Sequence, residues 1–201
     1  KWRSNDGLNR EIQVRSSIKG VPTPFEYDVL LALMRIHIRH NNDKVIIGGM
    51  STNTIKFTYR ELSREMGFKG FGSKTKDRLH NAIEKLCDTN IYNTSKGGIY
   101  DPIKKEYLTN STKVISILRN FESYSYLNTK EGVVLDAHSL KDKASVVIDD
   151  FFLSNINAGK GKISNGALRK SLKIDLARRL YLILNKWRNK RDEIYVTYSK
   201  L

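Results

Sequence analysis

Cysteine, acidic residues and long apolar runs are all scarce in this sequence. One cysteine, Cys87, in 201 residues excludes an internal disulfide and any zinc site built on cysteine, and it suits a reducing compartment. No apolar run approaches the roughly 18 residues a membrane span needs, and Lys1-Trp2-Arg3 opens no signal-peptide core. The chain is therefore expected to be soluble and cytoplasmic, with no membrane partner. Its first residue is not Met, so it reads as a piece of something larger.

Acids number 21 against 36 Lys and Arg, giving a formal charge of +15 and a sequence pI near 9.8. Such an excess favours polyanion partners. Apolar residues make up 39% of the chain and ten tyrosines are spread along it, which excludes a disordered basic tail. At 23.1 kDa the chain is long enough to bury its own core.

Residues 1–19 are polar, carry no sustained period and read as a flexible N-terminal arm. Order begins at Gly20-Val21-Pro22-Thr23-Pro24. Thr23 as N-cap, Pro24 at the first helical position and Glu26 three residues after the cap make a capping box. Phe25, Val29, Leu30, Leu33 and Ile36 then recur at helical spacing to about Asn41. Lys44–Met50 and Thr54–Phe57 lean towards β structure. A second box, Thr58 with Glu61, opens a helix that Gly67 ends. After the glycine-rich turn 67–72, a third helix runs from Ser73 as N-cap to about Cys87, its apolar positions Leu79, Ala82, Ile83 and Leu86.

Ile91-Tyr92-Asn93-Thr94, the turn Ser95–Gly98 and Ile99-Tyr100 read as a hairpin, and Val114–Tyr126 as a further strand. Two helices, a short turn and a hairpin predict an α+β winged helix-turn-helix, with a small antiparallel sheet and a wing. Ser145–Ile148 reads as a buried strand and Asp150–Ile156 as a short helix or turn, with Asp149-Asp150 its N-cap. After the loop 158–162, helices resume at Asn165, break near Ile174-Asp175 and end near Asn189. Leu176, Ala177, Leu180, Tyr181, Leu184 and Trp187 make a core or interface stripe. The winged-helix domain is thus set at 20–191. Residues 192–201 read as a linker and the start of a truncated second module, because Val196-Thr197-Tyr198-Ser199-Lys200-Leu201 repeats the spacing of Phe57-Thr58-Tyr59-Arg60-Glu61-Leu62.

The apolar stripe of the third helix fixes its outward face: Lys74, Asp77, Arg78, Asn81, Glu84 and Lys85. Arg suits guanine, Asn adenine, and a carboxylate accepts from cytosine, so Lys74, Asp77, Arg78 and Asn81 are the candidate base readers. Arg60, Lys69, Ser73, Lys85 and Lys96 are candidate phosphate contacts around them. From Lys160 to Arg191 eleven bases face one acid, Asp175, a density that suits backbone phosphates. Lys170, Arg178, Arg179 and Lys186 are the candidates there. An ordinary solvated helix face, or pairing of Arg178 and Arg179 with Asp149, Asp150 or other acids inside the fold, is the competing explanation.

Catalytic patterns do not close, and neither enzyme activity nor a cofactor or metal is expected. Gly67–Thr75 approaches a P-loop, but Ser73 separates the last Gly from Lys74 and the stretch follows a helix instead of a strand. His37 and His40 lack companion ligands, His80 and His138 are isolated, and no His-hydrophobic-His triplet accompanies the tyrosines to hold a nicking metal.

Gly20-Val21-Pro22-Thr23-Pro24-Phe25 with Asp28-Val29-Leu30 and Ala32-Leu33, Phe57–Leu62 with Met66-Gly67-Phe68, Arg78-Leu79 with Ile83, Leu86 and Ile91, and Ala177-Arg178-Arg179-Leu180-Tyr181 with Leu184 together resemble the N-terminal winged-helix region of RepA-type plasmid replication initiators. The resemblance runs from about Gly20 to Arg191 and skips Lys96–Ala144. It implies a bacterial protein, associated with plasmid or nucleoid, that binds double-stranded origin repeats without hydrolysing nucleotide. It also implies exchange between monomer and homodimer, and recruitment of host replication proteins. A transcriptional repressor is the alternative within DNA-binding proteins, and a DNA-processing enzyme the alternative outside them.

Overall fold

Threonine and glycine mark the boundaries of the first helices. The computed structural model describes residues 2–3, 7, 9–16, 18–41, 53–93, 99–101, 104–107, 114–123, 143–157 and 166–188. Helix α1 (Pro24–Asn41) starts at its capping box. Thr23 Oγ1 accepts from the Phe25 N–H at 3.3 Å, and the Thr23 N–H donates to Glu26 Oε2 at 2.6 Å. Strand β4 (Thr54–Thr58) leads into α2 (Tyr59–Met66). Thr58 Oγ1 accepts from the Glu61 N–H at 3.0 Å, while the Glu61 carboxylate turns to His40 Nε2 at 2.8 Å, so this box forms only by half.

Gly67 closes α2 in the left-handed region at φ 81°. The Gly67 and Phe68 N–H groups return to the Arg64 and Ser63 carbonyls at 2.9 and 3.0 Å, a Schellman closure that a Cβ would strain. Helix α3 (Ser73–Cys87) follows. Its N-cap is Gly72, not Ser73, and the Gly72 carbonyl accepts from the Lys76 N–H at 3.0 Å.

Strand β4 pairs antiparallel with β10 (Lys143–Ile148), and β10 with β9 (Leu118–Ser123), in the order β4-β10-β9. Every second β10 side chain, Ala144, Val146 and Ile148, is buried, which is the alternation of a strand with one face on the core. The apolar sides of the three helices pack against this sheet: Val29, Ala32, Leu33 and Ile36 of α1, Leu62 of α2, and Leu79, Ala82, Ile83 and Leu86 of α3 are all buried with Ile55, Phe57, Leu118 and Val146. The architecture is α+β and winged-helix-like.

The wing lies elsewhere than its local sequence signal suggested. Ile91–Asn93 belong to β5 (Asn90–Asn93), which pairs with β3 (Ile12–Arg15) on one edge and β8 (Val114–Ser116) on the other. Tyr100 sits in β6 (Tyr100–Asp101), paired instead with β7 (Glu106–Tyr107). Both edges of β5 are occupied by distant strands, so the expected 91–100 hairpin has no edge on which to form. Helix α3 instead carries the β9–β10 pair as its wing. The strand expected over Val114–Tyr126 divides at Ile117 into β8 and β9, which join different sheets.

The stretch read as a flexible arm, 1–19, contributes strands: β1 (Trp2–Arg3) pairs with β2 (Asn9–Arg10), and β3 extends the β5 sheet. Arg10 is buried with its guanidinium 3.6 Å from the Tyr107 ring centroid. These are pairings across long sequence separations, to which a local period is blind.

The chain forms two compact units, Lys1–Ala158 and Gly159–Leu201. The first ends with α4 (Asp150–Asn157). Asp149 caps that helix, its Oδ1 accepting from the Phe151 N–H at 2.9 Å. In the second, α5 (Gly166–Ser171) and α6 (Asp175–Arg188) are broken where expected, near Ile174. The echo at 192–201 lies outside the described residues, as does the Lys44–Met50 run.

Glu65 of α2 holds Arg35 and Arg39 of α1. Burial alone would raise its carboxyl, but the two guanidiniums outweigh that and hold it below the ordinary 4.5. Burial, with Asp88 and Glu84 adding repulsion, pushes the Cys87 thiol up to about 12; it is protonated at neutral pH and serves as core.

Three outcomes are expected in urea unfolding followed by circular dichroism. Leu79→Ala should cost about 2–5 kcal/mol through the cavity it leaves, and Thr58→Ala about 1 kcal/mol through the lost cap. Because the folded pKa of Glu65 lies below its unfolded value, its contribution is complete above pH 4.5 and is lost as pH falls through the folded value. Glu65→Gln should therefore lower the midpoint at pH 7 and flatten the acid limb of the pH–stability curve; an acid limb as steep as in the parent would contradict this pairing.

Candidate nucleic-acid interface

Burial of Leu79, Ala82, Ile83 and Leu86 leaves Ser73, Lys74, Asp77, Arg78 and Asn81 exposed on the opposite side of α3. Four of the expected readers, Lys74, Asp77, Arg78 and Asn81, line a single concavity with Lys19, Thr23, Phe25 and Glu26 from the start of α1 and the turn before it. They occupy the N-terminal half of α3, the half of a recognition helix that reaches base edges in a winged helix-turn-helix.

The C-terminal half is engaged differently. Lys85 lies 3.7 Å from Glu26 Oε1, with only 15% of its side chain exposed. Burial would raise the Glu26 carboxyl, yet hydrogen bonds from Thr23 and the Lys85 charge hold it below the ordinary range. Glu84 takes Lys19, and His80 Nε2 at 3.4 Å; the Lys19 hydrogen bond leads in lowering its pKa. Lys85, a candidate phosphate contact, lines the same concavity and pairs with Glu26 of α1.

Arg78 rests on aromatic rings. Its Cζ is 3.9 Å from the Phe25 centroid and 5.9 Å from that of Phe68. Phe25 follows Pro24 in the first turn of α1, and Phe68 follows the Gly67 closure, so both rings are placed by chain boundaries. The periodicity of α1 marked Phe25 as core; nothing local connects it to Arg78.

The wing joins α3 through a buried tyrosine. Tyr59 Oη lies 2.7 Å from His80 Nδ1 and 3.0 Å from Ser123 Oγ, and the His80 ring stands 5.0 Å from Phe121 of β9. Arg119 on β9, absent from the sequence-derived candidates, is exposed and pairs with Asp149 at 3.4 Å and Asp150 at 3.9 Å.

Of the remaining candidates, Arg60 is exposed at the start of α2, 5.6 Å from the Phe71 ring, and Lys69 is exposed in the turn. Lys96 lies outside the described residues, and so do the side chains of Lys170 on α5 and Lys186 on α6. Arg179 is exposed. Arg178 is half-buried: its Nε donates to the Leu172 carbonyl at 2.7 Å and its Nη1 lies 3.9 Å from Asp175, in the turn between α5 and α6. Asp175 is thus an acid inside the fold with which Arg178 pairs.

The near-P-loop segment is the turn between α2 and α3, with Lys74 exposed in the first turn of α3. Among the described residues no group of three His, Cys, Asp or Glu could hold a metal ion, and no helix is long and apolar enough to cross a membrane.

No family model and no curated protein sequence matches the chain. Solved structures do. A crystal structure of a selenomethionine derivative of domains 2 and 3 of RctB superposes with a TM-score of 0.59 at 13% identity, covering 96% of this chain and 71% of that one. A second RctB domain 2–3 structure gives 0.60 at 14% identity, over 94% of this chain and 63% of that one. At such low identity the likeness is one of fold: this chain shares its architecture with domains 2 and 3 of RctB.

Proposed function

We propose that this chain is a non-enzymatic, sequence-specific double-stranded DNA-binding module of a replication initiator, of the kind that binds repeated origin sequences on a plasmid. The observation that carries the reading is the concavity at the N-terminal half of α3, where Lys74, Asp77, Arg78 and Asn81 stand exposed together on a winged-helix scaffold. The fold likeness supports it, because RctB is the replication initiator of Vibrio chromosome 2. The resemblance to RepA-type initiators supports it from the residues.

In this reading α3 enters the major groove. Arg78 presents paired donors to guanine, Asn81 a donor and an acceptor to adenine, and Asp77 an acceptor to cytosine. Lys74 reads beside them, Arg60, Lys69 and Ser73 hold the phosphates beside the helix start, and the basic second unit, through Lys170, Arg179 and Lys186, adds sequence-independent affinity. Assembly as a homodimer and contact with host replication proteins belong to the same proposal.

Selection of bound fragments from random duplexes tests it. A recovered motif that recurs in tandem supports an initiator; a single palindrome supports a repressor instead, and no recovered motif contradicts sequence-specific binding. On the recovered site, Asn81→Ala should cost about 1–3 kcal/mol and flatten preference at one base pair. Lys170→Ala or Lys186→Ala should weaken cognate and scrambled duplexes alike. Log K should fall with log salt by about 0.9 per phosphate neutralised; a salt-insensitive interaction would contradict the reading.

A further inference from the structure

Arginines in this fold meet either carboxylates, as Arg35 and Arg39 meet Glu65, Arg119 meets Asp149 and Arg178 meets Asp175, or a single ring, as Arg10 meets Tyr107, Arg15 meets Tyr92 and Arg60 meets Phe71. Arg78 lies against two rings, on the exposed side of α3. It is exposed, and its contacts among the described residues are with two rings, Phe25 at 3.9 Å and Phe68 at 5.9 Å. Asp77 is its neighbour in sequence, but adjacent positions on a helix do not face each other.

Ring contact and carboxylate contact have opposite consequences for a guanidinium. A carboxylate occupies the in-plane N–H groups. A ring occupies a face, limits rotation of the side chain and leaves the N–H edge for another acceptor. The two rings are themselves braced, with centroids 6.5 Å apart and planes 30° from parallel. Phe25 is anchored by the Thr23 cap of α1, and Phe68 by the backbone closure at Gly67. The support under Arg78 therefore comes from two chain boundaries outside α3.

We propose that Phe25 is a specificity-determining positioning residue: stacked beneath Arg78, it holds the guanidinium with its donor edge directed into the concavity, set for bidentate pairing with a guanine. The inference rests on the reading of α3 as the DNA-contacting helix. It assigns to α1, outside the helix-turn-helix, a part in base discrimination. Phe25 itself touches no base and acts through Arg78. An arginine arriving preset loses less freedom on binding than one fixed only by the DNA. That advantage applies where the guanidinium finds two acceptors in one plane, so it raises affinity for the cognate site more than for other sequences.

The test uses the full chain and the duplex recovered by selection, with a scrambled duplex of equal length, and reads the ratio of the two dissociation constants. Phe25→Leu should lower that ratio about tenfold, the scale of one lost bidentate pair, while scrambled-duplex affinity changes less than about twofold, since phosphate contacts carry it. Phe25→Tyr, which keeps the ring, should retain the ratio. Arg78→Lys keeps the charge on an exposed position without the planar edge, needs no change in the core, and should lose the ratio as Phe25→Leu does. Combining Phe25→Leu with Arg78→Ala should lose no more than Arg78→Ala alone.

Retention of the ratio in Phe25→Leu alongside its loss in Arg78→Ala would overturn the positioning role and leave DNA reading by α3 intact. So would additive losses in the double variant. Equal affinity of the parent chain for cognate and scrambled duplexes would overturn the underlying reading and the inference with it.

Discussion

Burial of one stripe on α3 governs the rest of the molecule. Leu79, Ala82, Ile83 and Leu86 fill the space between α1 and the β4-β10-β9 sheet, and a helix with four such anchors cannot rotate about its axis without exposing them. At about 25 cal/mol per Å² of apolar surface, Leu79, Ile83 and Leu86 each contribute on the order of 2 kcal/mol. The outward direction of Lys74, Asp77, Arg78 and Asn81 is thus a consequence of core packing. Tyr59 extends the constraint: wholly buried, it bonds through its hydroxyl to His80 on α3 and Ser123 on β9, so helix and strand share one fixed junction.

The positive charge is distributed by the same scaffold. Near α1 and the far half of α3 it is paired with acids, Arg35 and Arg39 with Glu65 and Lys85 with Glu26. Around the near half of α3 it is exposed, in Arg60, Lys69, Lys74 and Arg78. Two of these cations are braced by rings, Arg60 by Phe71 and Arg78 by Phe25 and Phe68. Net charge alone indicates that a polyanion is favoured; pairing within the fold decides which side of the helix it meets.

Much of the helical framework was legible residue by residue. The Thr23 and Thr58 caps, the Gly67 stop, the break at Ile174 and the Asp149 cap all stand where local chemistry puts them, because each depends on groups within four residues along the chain. The third helix was legible for a related reason: its apolar period needs only the helix itself to define an inward side. The wing was not. Ser95–Gly98 looked like a hairpin turn, but β5 had better partners in β3 and β8, and strand pairing is settled by which edges are open and which register buries the apolar side. Residues 1–19 lacked any period for the same reason, since their short strands gain order only from β5 and their own pairing.

The amino-acid sequence by itself determined the helices, their boundaries, the face of α3 that points outward and the excess of positive charge, all of which follow from interactions within a few turns of chain. Only the tertiary structure decided where the wing lies, that Lys85 pairs with Glu26, and that Phe25 lies beneath Arg78. Each of those depends on two segments far apart in sequence meeting in space, and the energy of such a meeting belongs to the pair, so neither segment carries a sign of it alone.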